Sequence, residues 1–153
     1  MRRQEREITD QSLIESILKR ATVCRIGLSE NDIPYVVPVF FGYRDNCLYF
    51  HSAPAGKKMD ILRKNNNVCF EVDIDVELLA SAAPCRWSAR YLSVIGFGKA
   101  QFIHDPEGKR EALNVIMEHY AGRSYEYAED AIDTVAVIKV EIHTMTGKRS
   151  GYA

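Results

Sequence analysis

Six runs rich in Val, Ile, Tyr, Phe and Cys, several of them separated by only a few turn residues, constrain this chain more than any other feature of its sequence. They lie at Thr22 to Leu28, Pro34 to Gly42, Cys47 to Ser52, Asn67 to Ile74, Arg90 to Ile103 and Thr134 to Ile142, and their composition predicts β-strands. Asn31-Asp32 and Asp45-Asn46 join the first three. Such connections are too short for the crossover that parallel strands require, so these strands must form antiparallel hairpins, and a doubly wound sheet is disfavoured.

Helices are predicted between and around the strands. Asp10 caps a segment whose Leu13, Ile14, Ile17 and Leu18 share one face, with Lys19 and Arg20 in its last turn. A short helix is expected from Gly56 to Lys64. A longer one opens on Asp105-Pro106 and carries Leu113, Ile116, Met117 and Tyr120 as its apolar face. Six short strands with peripheral helices can close into a small barrel, which removes sheet edges and fills the interior with side chains. The expected fold is therefore mainly β, an antiparallel six-stranded barrel, in one domain spanning residues 1–153.

Composition excludes several function classes. With 153 residues the chain buries a core without disulfides or metals. Its 20 basic and 21 acidic side chains leave a formal charge of −1, so no field draws it to nucleic acid or to an anionic membrane. No apolar run is long enough to span a bilayer and no signal peptide is apparent, so a cytoplasmic location is expected. Cys24, Cys47, Cys69 and Cys85 form no C-x-x-C pair, and with His51, His104, His119 and His143 they show no metal-ligand spacing. Free thiols are expected, with Cys24, Cys47 and Cys69 acting as small buried hydrophobes.

Chemistry concentrates in two stretches. In Leu48-Tyr49-Phe50-His51-Ser52-Ala53-Pro54-Ala55-Gly56-Lys57-Lys58 a strand runs through a small-residue loop into a helix that opens on two lysines. Free amides at a helix start favour an anion, whereas cations there oppose the helix dipole unless something negative is bound. The pattern is either a phosphate site or a solvated Lys-Lys pair. It is not a P-loop. In Arg90-Tyr91-Leu92-Ser93-Val94-Ile95-Gly96-Phe97-Gly98-Lys99-Ala100, two glycines within one strand indicate a bulge, a bend, or close approach of a ligand or backbone. Trp87, the only Trp, and Tyr91 are suited either to covering an apolar ring or to a core or subunit interface.

The order of these features resembles the pyridoxamine-phosphate-oxidase split barrel over roughly residues 22 to 103. The segments that carry the resemblance are Pro34 to Gly42, the acidic turn at Asp45, Tyr49-Phe50-His51-Ser52, Lys57-Lys58, Asn65-Asn66-Asn67, Val68 to Val72, and Ser93-Val94-Ile95-Gly96. A narrower resemblance, to the nitroimidazole-resistance branch, covers nearly the whole chain. It adds Met1-Arg2-Arg3 with Arg6-Glu7-Ile8, Tyr35-Val36-Val37-Pro38-Val39, Val68-Cys69-Phe70-Glu71-Val72-Asp73, Trp87-Ser88, His119-Tyr120 and Thr146-Gly147-Lys148-Arg149-Ser150.

The resemblance implies an FMN-binding split barrel, with FAD as the alternative flavin, working as a homodimer with flavin between the subunits. It implies that backbone at Pro38, Val39, Phe40 and Phe41 borders the flavin ring. His51, Ser52, Ala53, Lys57 and Lys58 would hold the ribityl chain and phosphate, and Tyr91 and Ser93 would reach the flavin from the other subunit. Val37 and Gly42 stand where the oxidase proper has Arg and Lys, and the chain ends Thr146 to Ala153 without the oxidase's Arg-rich grip. Pyridoxamine phosphate is therefore not the expected substrate.

The expected activity is reduction of a small nitroaromatic or quinone through the flavin, with NAD(P)H or another electron donor. A flavin carries the redox chemistry itself, so no catalytic triad is needed. His51 is the candidate catalytic side chain, able to polarise a nitro group or supply a proton, against the alternative of a hydrogen-bonded structural histidine. Two rivals remain. One is a non-catalytic flavin-storing or sensing module, and the other a haem-handling split-barrel protein with an exposed axial His.

Overall fold

The computed structural model describes residues 3–152, so Met1, Arg2 and Ala153 lie outside the described residues. After a 3-10 turn at Gln4–Arg6 the elements are β1 (Glu7–Ile8), α1 (Gln11–Arg20), β2 (Cys24–Glu30), β3 (Ile33–Val39), β4 (Gly42–Arg44) and β5 (Cys47–Ser52). They continue as α2 (Lys57–Lys64), β6 (Asn67–Leu79), a 3-10 turn at Pro84–Arg86, β7 (Ser88–Ile103), α3 (Pro106–Ala121), α4 (Glu129–Asp133) and β8 (Ala136–Ser150). The strands form one antiparallel sheet in the order β3-β2-β6-β7-β8-β5-β4, with β1 added to β8. The sheet does not close, because β3 and β4 at the ends of this path are not paired with each other. It is a barrel split along one seam.

Local chemistry explains much of this. Both short hairpins turn on residues with positive φ, Asn31 (50°) and Asp32 (63°) in one and Asp45 (50°) and Asn46 (57°) in the other. Asn and Asp tolerate that region, and such turns match the twist of the flanking strands. Asp10 accepts a bond from the Ser12 amide at 2.9 Å, and Asp105 from the Gly108 amide at 2.7 Å, so both expected caps form. Ile14, Ile17 and Leu18 of α1 are buried in the same core as Ile26, Leu48, Phe50, Phe70 and Val72, which alternate along the strands of the sheet.

Among the described residues eight strands replace the expected six. The run from Pro34 to Gly42 breaks at Phe40-Phe41 into β3 and β4, and Glu7–Ile8 is recruited onto β8. The buried face of α3 is Ala112, Val115 and Ile116 rather than the expected stripe through Leu113 and Tyr120. The reason is close packing, since a Cβ on Gly42 would lie 2.5 Å from the Val115 carbonyl oxygen and β4 rests directly on the helix backbone. The glycines of β7 have internal causes as well. A side chain at Gly96 would overlap the Phe70 ring. One at Gly98 would overlap the Glu141 carbonyl, where the β7–β8 register shifts.

Cys24 and Cys47 are buried as expected, but Cys69 is only half-buried because it points to the outer face of the sheet. Burial, above all, pushes the Cys24 thiol up to about 12. A thiolate is the reactive species, so Cys24 should resist alkylation in the native protein and react only on unfolding. Mass spectrometry of iodoacetamide-treated protein checks this, and native labelling of Cys24 would contradict its burial.

Candidate functional site

The candidate site is the end of β5, the loop that follows, the start of α2 and the free edge of β3. Gly56 precedes α2 with φ 124°, a conformation that suits glycine, and no side chain caps the helix. The first amides to bond back are those of Met59 and Asp60, to the Gly56 carbonyl at 2.9 and 3.0 Å. The amides of Lys57 and Lys58 lie ahead of them and are orphan donors of the helix start. The space beside Gly56 is open. This donor set fits an anion such as a phosphate monoester.

Lys57 places its ammonium 4.7 Å from the centre of the Tyr35 ring, tying the helix start to β3 through a cation–π contact. Lys58 is half-buried, with its ammonium 5.7 Å from the centre of the Phe50 ring, and burial lowers its pKa. His51 is also held below its usual value, first by burial and then by the Lys58 charge. Its imidazole is therefore neutral at pH 7, with one ring nitrogen a donor and the other an acceptor. Ser52 ends β5 and Ala53 opens the loop, so His51, Ser52, Ala53, Lys57 and Lys58 all come together.

Among the described residues β3 pairs only with β2, which leaves its other edge free. Pro34 and Pro38 agree with this, since proline belongs at sheet edges. Pro38 and Phe40 are exposed, Phe40 to 61%, whereas the side chains of Val39 and Phe41 are in the core. Val39 and Phe41 can therefore offer a ligand only backbone.

The break after Val39 is held by a residue that sequence reasoning left in an apolar stripe. The Phe41 amide donates to Tyr120 Oη at 2.9 Å, and Tyr120 Oη donates to the Thr22 carbonyl at 2.7 Å. His119 packs on Phe41 at 4.7 Å between ring centres, and its Nε2 lies 2.7 Å from the Ala21 carbonyl. The one available signal was the hydroxyl of Tyr120, a polar tip on an apolar ring that can both donate and accept a hydrogen bond.

Tyr91 and Ser93 are not brought to this site within one chain. They lie opposite Ser150 and Lys148, whereas the β7 residue placed beside His51, across Val137, is Ile103. Ser93 and Ile103 are separated by about 33 Å of strand at 3.3 Å per residue. Lys148 holds its ammonium 5.4 Å from the centre of the Tyr91 ring.

Other features are less suited to a ligand. A polar cavity of about 600 Å³ between α1, the β4–β5 turn and α3 holds two ion pairs, Lys19 with Glu15 at 3.8 Å and Arg44 with Glu118. Among the described residues no group of His, Cys, Asp or Glu is placed to hold a metal ion, and no helix is long and apolar enough to cross a membrane.

Comparison with known proteins agrees with this geometry. A family model described as pyridoxamine 5'-phosphate oxidase matches residues 10–149. Among solved structures, a protein from Bacteroides thetaiotaomicron named for 5-nitroimidazole antibiotic resistance is 41% identical, with a TM-score of 0.84 over 94% of this chain and 86% of that one. A flavocytochrome from Azotobacter vinelandii (22% identity, TM-score 0.84, 99% of this chain and 72% of that one) shares the fold. So does an FAD-binding protein from Mesorhizobium loti (23% identity, TM-score 0.68, 95% and 98%). No match is found among curated proteins. An open antiparallel barrel, an uncapped helix start beside two lysines and a family model spanning nearly the whole chain lead to one assignment: the chain belongs to the pyridoxamine 5'-phosphate oxidase family.

Proposed function

We propose that the protein is a flavin-dependent reductase that binds FMN in the split of the barrel and passes electrons from NAD(P)H to a small nitroaromatic or quinone. The observation that carries this reading is the uncapped start of α2, where free amides, Lys57 and Lys58 converge beside the open edge of β3. Bound flavin supplies the hydride and electron transfer. The protein binds and orients. Lys57, Lys58 and the α2 amides hold the phosphate. Ser52 and Ala53 line the path from phosphate to ring, and the β3 edge at Pro38 to Phe41 offers backbone groups to the ring. Tyr120 fixes the Phe41 end of that edge through its two hydrogen bonds. His51, neutral beside Lys58, presents one nitrogen that donates a hydrogen bond and one that can accept a hydrogen bond or a proton.

The same reading makes the protein a homodimer. Val36, Gly27, Cys69, Phe97 and Thr144 stand in register across the outer face of the sheet, and Pro38, Arg25, Glu71, Ile95 and Thr146 form the next row. Phe97 is 56% exposed, and Val36 and Ile95 beside it are also exposed. Arg25 bonds Glu71 at 3.1 Å and Asp73 at 2.5 Å on the same face, so the patch carries both charges and can be self-complementary. A second copy on this face explains how Tyr91 and Ser93 serve a site they do not reach within one chain.

The expected result is a yellow protein with one flavin per subunit and steady NAD(P)H-dependent reduction of a 5-nitroimidazole or a quinone. Tight flavin binding without turnover would leave a carrier or sensor instead. A colourless preparation that takes up neither FMN nor FAD overturns the reading.

A further inference from the structure

We propose that Arg63 is a positioning residue of the phosphate site, a brace that holds the loop from Ala53 to Gly56 in the shape that receives the phosphate. The inference rests on the phosphate reading above and adds to it a residue that acts through the loop. The loop is short and has no long side chain of its own to pin it, and Gly56 closes it at φ 124° and ψ 165°. Outside the strand and helix ladders, and among the described residues, Ala53, Pro54 and Ala55 have one hydrogen bond. The Pro54 carbonyl accepts it from Arg63 Nη2 at 2.8 Å.

Position in the helix alone would not give this bond. Arg63 lies in the last turn of α2, where a cation suits the dipole and the carbonyls of that end are close at hand. Its guanidinium instead turns back to a carbonyl nine residues earlier, ahead of the Gly56 that precedes the helix. Arg63 Nη1 lies 3.3 Å from Asp60 Oδ1, and Cζ lies 5.8 Å from the centre of the Phe102 ring. Phe102 belongs to β7 and packs against the core, and His104 stacks with it at 6.3 Å between ring centres. A planar guanidinium can serve a carbonyl, a carboxylate and a ring face together, which an ammonium cannot do in the same geometry.

The far end of α2 is fastened too. Asn65 donates to the Ser29 carbonyl at 3.0 Å, and the Asn66 carbonyl accepts from the Ala100 amide at 2.8 Å. Arg63 therefore ties the loop both to its own helix and to the sheet. A ligand that meets an ordered loop does not bear the entropy of ordering it. The loop leads directly into the free Lys57 and Lys58 amides, so fixing it at Pro54 presents those donors in one arrangement. Riboflavin, which lacks the phosphate, gains less from that.

Arg63→Met keeps an apolar stem beside Phe102 and removes every donor. FMN and riboflavin are titrated into the parent and this variant by flavin fluorescence, at low salt and at about 0.5 M, where exposed charges are screened. Nitrogen-15 relaxation gives the backbone order parameters of Ala55 and Gly56 in both flavin-free proteins. The expected result is FMN binding about tenfold weaker in the variant at either salt concentration, with riboflavin changed less and both order parameters lowered. A loss that disappears at high salt, with order parameters unchanged, marks attraction through space and overturns the brace. A loss shared equally by FMN and riboflavin, with a lower melting temperature, marks a general structural role and also overturns it. A parent that binds neither flavin overturns the phosphate reading and this proposal with it. A parent that binds FMN and a variant that binds it equally well overturn the brace alone.

Discussion

Replacing both Lys57 and Lys58 with Ala is expected to weaken FMN binding by about two to four orders of magnitude while riboflavin binding changes little. Each lysine can form a charge-assisted bond to phosphate contributing about 1.5–3 kcal/mol, and riboflavin has no phosphate to lose. The fold should persist, because Met59, Ile61 and Leu62 carry the buried face of α2 and neither lysine belongs to it. Two cations at a helix start oppose its dipole, and relief of that opposition offsets the loss of the cation–π contacts to Tyr35 and Phe50, so without a ligand the double variant should melt close to the parent's temperature. Flavin fluorescence titrations of both ligands into both proteins, with melting curves of the flavin-free forms, give the answer. An equal loss for FMN and riboflavin, or no loss for either, would remove the lysines from the site.

Gly98→Ala should lower stability by about 3 kcal/mol, near the upper end of the usual range for forcing atoms into a packed interior. The new methyl would meet the Glu141 backbone carbonyl, and a sheet backbone paired on both sides cannot step aside as a flexible side chain would. For a chain of this length the melting temperature should fall by about 6–12 °C. Gly27→Ala is the control, since its methyl would meet the Cys69 carbonyl at 3.3 Å, a tight contact that a small shift relieves. Urea unfolding of the three proteins tests the contrast, and equal midpoints for Gly98→Ala and the parent would show that this approach does not govern the strand.

Both predictions rest on features of different legibility. The lysine pair could be read from sequence because it is a local anomaly, two positive charges where a helix start prefers negative ones. The β7 glycines were visible as an oddity, but bend, bulge and ligand approach all remained open. Only the positions of Phe70 and the Glu141 carbonyl, contributed by the two neighbouring strands, decided between them.

The sequence by itself determined what depends on neighbours in the chain. Asn31-Asp32 and Asp45-Asn46 dictate tight hairpins, Asp10 and Asp105 start helices, and alternation places Ile26, Phe50 and Val72 inside. Tertiary structure decided what depends on groups far apart. The run from Pro34 to Gly42 reads as one strand until Tyr120, 79 residues from Phe41, takes the Phe41 amide out of the ladder and splits it into β3 and β4. The expected ends of the last strands fell short because residues beyond Ile74 and Ile142 owe their extended form to partners across the sheet rather than to apolar composition. Residues adjacent in sequence can express a preference only for local geometry. A backbone N–H or C=O finds its partner wherever the fold brings one, and that choice set the edge of β3, the reach of β7 and the separation of Tyr91 and Ser93 from His51.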